Sequence, residues 1–189
     1  FTFPEPSGWV TSVAFSPNGR LLASGRYPDK TVRLWDVARK RPVSTLTGFK
    51  DGVFCVAFSP DGRLLAAASG DVLEQRRPGE VRLWVAAGLP GTPRALGTLR
   101  QPHSVSCVAF SPDGKLLATG SQDSTVWLWD VASRTAVARL GGGSSWIASL
   151  GFSGDGKLLA AASADGAIHL WNTAARREVA RLKGRVKYM

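Results

Sequence analysis

A six-residue signature recurs four times along the chain, and no other feature constrains its fold as strongly. It reads Phe-Ser-Pro-Asn-Gly-Arg at 15–20, Phe-Ser-Pro-Asp-Gly-Arg at 58–63, Phe-Ser-Pro-Asp-Gly-Lys at 110–115 and Phe-Ser-Gly-Asp-Gly-Lys at 152–157. The spacings from phenylalanine to phenylalanine are 43, 52 and 42 residues. A period in this range marks a repeat architecture: each unit is one supersecondary element that buries its apolar faces only by stacking on its neighbours. A Leu-Leu-Ala run and then a Leu-Trp pair follow each signature, with tryptophans at Trp35, Trp84, Trp129 and Trp171.

Within a unit the pattern is β throughout. In the first, residues 10–15 alternate toward a turn, and Ser16-Pro17-Asn18-Gly19 supplies the proline and glycine of a type I turn with a left-handed residue after it. Further strands are predicted at 21–24, 32–36 and 43–46, separated by turn-forming residues. No segment keeps a helical period. Four such strands form one sheet with two faces to cover, and radial stacking of the sheets covers both. The fold expected is all-β: a β-propeller segment over 1–189, with four-stranded antiparallel blades at about 9–47, 52–100, 104–141 and 146–183. Phe1-Thr2-Phe3 falls in register with the tail of an outer strand from a preceding blade. Four blades are therefore expected to be part of a larger ring and the chain a fragment of a longer protein, with a closed four-blade ring or two paired chains as alternatives.

These residues resemble the WD-repeat (G-beta-like) family. Trp35-Asp36 and Trp129-Asp130 are similar to its namesake dipeptide, whereas Trp84-Val85 and Trp171-Asn172 depart from it. Leu-Leu-Ala-Ser-Gly at 21–25 and Asp-x-Thr-Val at 29–32 and 123–126 extend the resemblance over nearly the whole chain. The family also implies a Gly-His dipeptide whose histidine joins Ser/Thr, Asp and Trp in a buried tetrad. The matching positions here read Gly48-Phe49, Gln101-Pro102 and Gly142-Gly143. Three-membered versions are expected from Ser24, Asp29 and Trp35 and from Thr119, Asp123 and Trp129, with Trp84, Asp165 and Trp171 as structural residues of the remaining blades.

The resemblance implies a non-catalytic scaffold for protein or peptide partners. The residues agree: His103 and His169 are the only histidines, on different repeats, and eight of the fourteen acids recur at turn or WD positions. Gly141-Gly142-Gly143 lacks the lysine and following helix of a phosphate loop. No enzyme, metal or cofactor is expected. Alternatives are a regulatory or sensing module of a larger signalling enzyme, and a binder of nucleic acid or anionic surfaces through a basic face.

Two loop faces can be sorted from an up-and-down sheet. One collects Arg20, Arg63, Lys115, Lys157, Arg39, Lys40, Arg41, Arg94, Arg134, Arg176 and Arg177, and it carries much of the formal +10 charge. Repetition of solvated turn residues is the preferred explanation, ahead of a site for an acidic protein, nucleic acid or anionic membrane surface, and the lack of interleaved aromatics argues against nucleic acid. The opposite face holds the partner-binding candidates Trp9, Arg26, Tyr27, Phe49, His103, Gln122 and Trp146, because aromatic and arginine side chains anchor interfaces. Arg76 and Arg77 join them from an insert at 70–80 particular to the second repeat. Apolar runs are too short to span a bilayer. With only Cys55 and Cys107, no disulfide framework is expected and a cytoplasmic location is.

Overall fold

The computed structural model describes residues 8–71, 77–86, 93–141 and 143–183. Among them every regular element is a strand, and the sixteen strands form four antiparallel sheets, each ordered as in the sequence. The first sheet contains β1 (Trp9–Phe15), β2 (Leu21–Tyr27), β3 (Val32–Asp36) and β4 (Arg41–Leu46); the second contains β5 (Gly52–Phe58), β6 (Leu64–Gly70), β7 (Gly79–Val85) and β8 (Arg94–Gln101). The third contains β9 (Val105–Phe110), β10 (Leu116–Ser121), β11 (Val126–Asp130) and β12 (Thr135–Leu140); the fourth contains β13 (Ile147–Phe152), β14 (Leu158–Ser163), β15 (Ala167–Asn172) and β16 (Arg177–Lys183). The chain divides into two compact units at Val105 and Ser106. Phe3, Arg76, Gly142 and the residues after Lys183 lie outside the described residues.

The signature folds as its composition requires. Ser16 Oγ donates to Asn18 Oδ1 at 2.8 Å and accepts from the Leu21 amide at 2.9 Å. Ser59 with Asp61, Ser111 with Asp113 and Ser153 with Asp155 repeat the arrangement. Gly19, Gly62, Gly114 and Gly156 hold φ between +68° and +70°, a region glycine enters without a Cβ penalty. These bonds hold Asp61, Asp113 and Asp155 below the usual carboxylate range. The namesake aspartates cap the next turn: Asp36 Oδ1 accepts from the Arg39 amide and Asp130 Oδ1 from the Ser133 amide, both at 2.7 Å. Asn172 accepts from the Ala175 amide at the same distance, so the departure from aspartate keeps the acceptor. Val85 has none to offer.

Strand β2 runs three residues past the expected end. The cause is a bulge at Thr11, between Val10 and Ser12, which lets Val10 pair with Arg26 and Trp9 with Tyr27. Arg26 and Tyr27, expected in a loop, are therefore strand residues. Thr11 Oγ1 bonds both its own sheet, at Gly25 O (3.1 Å), and the second sheet, at Val53 O (2.5 Å). In the second unit Ser106 Oγ does the same toward Gly120 O at 3.0 Å and Ile147 O at 2.5 Å. Gly120 tolerates no larger residue, since a Cβ there would lie 2.5 Å from Cys107 Sγ and 2.7 Å from Ile147.

The first unit's core joins Ala23, Val32, Leu34 and Leu46 of one sheet to Val53, Val56, Leu65 and Ala67 of the next. Burying each Val or Leu contributes about 1.5–3 kcal/mol. In the second unit Leu117, Val126, Leu128, Ile147 and Leu159 are wholly buried. The tryptophan-to-hydroxyl part of the expected polar network forms: Trp35 Nε1 donates to Ser24 Oγ at 3.1 Å and Trp129 Nε1 to Thr119 Oγ1 at 3.0 Å.

Candidate partner-binding face

With the tetrad histidine absent, each sheet holds its turn acid or its tryptophan by different contacts. In the first, the guanidinium of Arg26 is fully buried and its Nε donates to Asp29 Oδ2 at 2.9 Å. Arg26 thus braces the turn that a histidine would brace and leaves the solvent face. In the second, Phe49 is 6% exposed and packs its ring 5.5 Å from that of Trp84, tilted by 51°. Arg82 lies over the Phe49 ring at 5.3 Å, while its Nε donates to the buried Glu80 at 3.0 Å. Phe49 and Arg26, expected on the solvent face, are therefore interior residues: Phe49 packs on Trp84 and Arg82, and Arg26 is held by Asp29. In the third, Asp123 accepts from the Thr125 amide and hydroxyl, with Arg139 at 3.6 Å. In the fourth, the Ser144 hydroxyl (2.6 Å) and amide (3.1 Å) donate to Asp165, and Arg181 adds a contact at 3.3 Å. These bonds, the Ser144 hydroxyl foremost, hold the Asp165 carboxyl well below the usual carboxylate range.

The first unit also carries an aromatic row whose outer member is exposed and whose other two members, Tyr27 and Phe54, are half-buried. Trp9 is 72% exposed and stacks on Tyr27 with centroids 6.0 Å apart; Tyr27 stacks on Phe54 at 5.9 Å. Sequence reasoning brought Trp9 and Tyr27 to one face and missed Phe54. The available signal was its column: Phe54 is four residues before the repeat phenylalanine, where the other units have Thr11, Ser106 and Ala148. A small residue must lie under the row, for a Cβ on Gly52 would fall 1.9 Å from the Tyr27 ring.

Charged side chains gather elsewhere in the same unit. Lys30 Nζ donates to Lys50 O and lies 4.0 Å from Asp51. A cleft of about 210 Å³ is lined by Lys50, Asp51, Arg77, Glu80 and Arg100. The acids of these loops are matched by cations: Asp29 by Arg26, Asp51 by Lys30, Asp71 by Arg77 and Glu80 by Arg82. Lys50 and Arg100 are exposed and have no carboxylate partner among the described residues. One oxygen of Glu80, Oε2, is buried without a hydrogen bond.

Other expected contacts are dispersed. His103 is half-buried at the end of the first unit. In the second unit Trp146 is 44% exposed and Gln122 is half-buried, its Oε1 buried without a partner. On the basic turn face, a cleft of about 730 Å³ in the first unit is lined by Arg20, Arg39 and Arg63 together with Asp36 and Asp61. Arg39 meets Asp36 at 2.8 Å and Arg63 meets Asp61 at 3.8 Å, so much of this positive charge is locally neutralised. His169 is fully buried, stacked 5.6 Å from Trp171 and bonded through Nδ1 to Glu178 at 2.8 Å. Among the described residues no three His, Cys, Asp or Glu side chains group as a metal site. Among the described residues no helix is long and apolar enough to cross a membrane, and neither cysteine is in a disulfide.

A repeat model described as WD domain, G-beta repeat, matches residues 1–36, 40–71, 94–130 and 134–172. Pre-mRNA-processing factor 19 of Bos taurus is 32% identical over 144 residues, covering 75% of this chain and 26% of that protein. Nuclear distribution protein nudF 2 of Penicillium rubens is 31% identical over 149 residues, covering 70% of this chain and 30% of that protein. Mitochondrial division protein 1 of Candida glabrata is 28% identical over 130 residues, covering 66% and 17%. The chain spans less than a third of the length of each of these relatives.

Proposed function

Since the chain belongs to the WD-repeat family, we propose that it is a non-catalytic protein-interaction scaffold whose first unit receives a partner on the Trp9, Tyr27 and Phe54 row. The observation that carries the reading is the exposure of Trp9 at the end of a supported stack. An aromatic side chain held rigidly by its neighbours loses little entropy on contact, which is why such residues dominate binding energy. With Lys50 and Arg100 unmatched in a cleft of the same unit, the partner segment is acidic, carrying a proline or aromatic side chain to lie against the indole. The relatives are named for pre-mRNA processing, nuclear distribution and mitochondrial division. Such varied processes favour a shared binding scaffold over a shared reaction. The thiols of Cys55 and Cys107 fit a reducing compartment such as the cytoplasm.

The test is fluorescence anisotropy with a panel of acidic peptides that contain proline or aromatic residues. Trp9→Ala is expected to weaken the selected peptide by about 30-fold, the scale of a single hot spot of about 2 kcal/mol, while Trp146→Ala leaves it unchanged. Equal binding by Trp9→Ala and the parent chain would remove the row as the site. If a nucleic acid is bound instead, the affinity falls steeply with added salt.

A further inference from the structure

The turn between β1 and β2 differs from its three counterparts by one charge. Asn18 stands where the other signatures carry Asp61, Asp113 and Asp155. Its side-chain oxygen keeps the turn bonded: Oδ1 accepts from the Ser16 hydroxyl at 2.8 Å and from the Arg20 amide at 3.0 Å, as Asp61 Oδ1 accepts from the Ser59 hydroxyl and the Arg63 amide. The fold of the turn is retained and a negative charge is lost. The consequence falls on the basic residue that ends the signature. Arg63 lies 3.8 Å from Asp61 and Lys157 lies 3.5 Å from Asp155. Arg20 is exposed and has no carboxylate partner among the described residues.

Arg20 borders the cleft of about 730 Å³ formed by turns of the first two sheets. Its floor is apolar and firmly held: Leu21, Val43 and Ala86 line it, Ala86 belongs to the first unit's core, and Val43 packs against that core. The acids on its rim are already committed to their own turns, since Asp36 accepts from both the amide and the guanidinium of Arg39 and Asp61 from Ser59 and the Arg63 amide. Three arginines against two aspartates leave one positive charge in the lining, and Arg20 carries it. The cleft at the same place of the repeat in the second unit, of about 530 Å³, is lined by Asp113 and Asp155 and by no arginine or lysine. We propose that the first-unit cleft is a second binding site, taking an acidic peptide segment through one carboxylate on Arg20 and a neighbouring aliphatic side chain on Leu21, Val43 and Ala86. A guanidinium grips a carboxylate by paired, charge-assisted hydrogen bonds, and pockets that combine an apolar floor with a few placed polar groups are the usual form of a ligand site. A dianion such as phosphate is a poorer match, because Asp36 and Asp61 repel its second charge. The cleft lies past the end of β1 opposite to Trp9 and is independent of the reading given for the aromatic row.

The test is an amide-shift titration of the isotope-labelled 189-residue chain with a peptide that carries Leu-Glu-Leu in a Gly-Ser frame. Shifts are expected within 16–21, 36–43 and 61–63, with Trp9 and Tyr27 unmoved. Asn18→Asp gives the first turn the acid its counterparts already carry, so it keeps the fold while pairing Arg20. It is expected to weaken binding about 10-fold, the scale of one charge-assisted hydrogen bond. Arg20→Ala, and Leu-Gln-Leu in place of Leu-Glu-Leu, should each do the same. Gly-Glu-Gly, which cannot cover the floor, is expected to lose about 10-fold or more. Trp9→Ala is expected to bind as the parent does, which separates failure of this site from failure of the aromatic row. Absence of shifts at the cleft residues overturns the proposal, as does equal binding by Asn18→Asp and the parent or by the glutamate and glutamine peptides. Inorganic phosphate competing more strongly than acetate would also overturn it, by assigning the site to a dianion.

Discussion

Replacing Phe49 should reveal whether an apolar side chain truly stands in for a polar network in the second sheet. The ring is 6% exposed, lies 5.5 Å from Trp84 and has Arg82 over its other face at 5.3 Å. Phe49→Ala removes a buried aromatic ring from a core that collapses only partly, which costs about 3–5 kcal/mol. Of this, about 0.5–1.5 kcal/mol belongs to the aromatic pairing with Trp84 beyond area burial. Urea unfolding followed by tryptophan fluorescence would measure the total. A double-mutant cycle of Phe49→Leu with Trp84→Phe would isolate the pair term, expected at about 0.5–1.5 kcal/mol. The most informative variant is Phe49→His, which restores the residue the family resemblance led one to expect. The imidazole would enter between the Trp84 indole and the Arg82 guanidinium, whose Nε holds Glu80, losing apolar contact beside a cation, and should destabilise by about 1–3 kcal/mol. A loss under about 1 kcal/mol for Phe49→Ala, or a gain for Phe49→His, would refute the packing account.

Three further outcomes are expected. Ser106→Ala removes the hydroxyl that reaches both Gly120 O and Ile147 O and should cost about 1–3 kcal/mol, with faster amide exchange in β10 and β13; unchanged exchange would deny it a joining role. The Asp165 carboxyl is held low in the folded state, so its contribution is fully present above an unfolded value of about 3.9 and is lost as pH falls below it. The urea midpoint should therefore fall more steeply between pH 5 and pH 3 (roughly, from the same reference value) for the parent than for Asp165→Asn; parallel profiles would contradict the assignment. Gly52→Ala places a Cβ 1.9 Å from the Tyr27 ring, so it should displace Tyr27, alter Trp9 fluorescence and weaken peptide binding, whereas unaltered emission and binding would show that the row needs no such approach.

Much of the architecture was legible because it depends on short-range chemistry repeated at a fixed period. The Ser-x-Asp-Gly turns, the caps at Asp36 and Asp130 and the four-strand order each follow from residues close in sequence. The candidate face was legible only in outline. Trp9 and Tyr27 could be assigned to one side, but Arg26 and Phe49 could not be assigned to the interior. Phe49 is buried by Trp84 and Arg82, 35 and 33 residues later, which no local pattern records. Phe54 was missed because its neighbour across the sheets, Tyr27, is 27 residues earlier.

The sequence alone determined the repeating unit, its strands and turns, and the family, since backbone conformation and alternating burial act over a few residues and the repeat states them four times. Only the tertiary structure decided which contacts hold each sheet's turn acid or tryptophan and which aromatics lined up. Those outcomes depend on side chains that meet across stacked sheets, where a bulge at Thr11 or a missing Cβ at Gly52 moves a contact by ångströms without leaving a mark on the pattern.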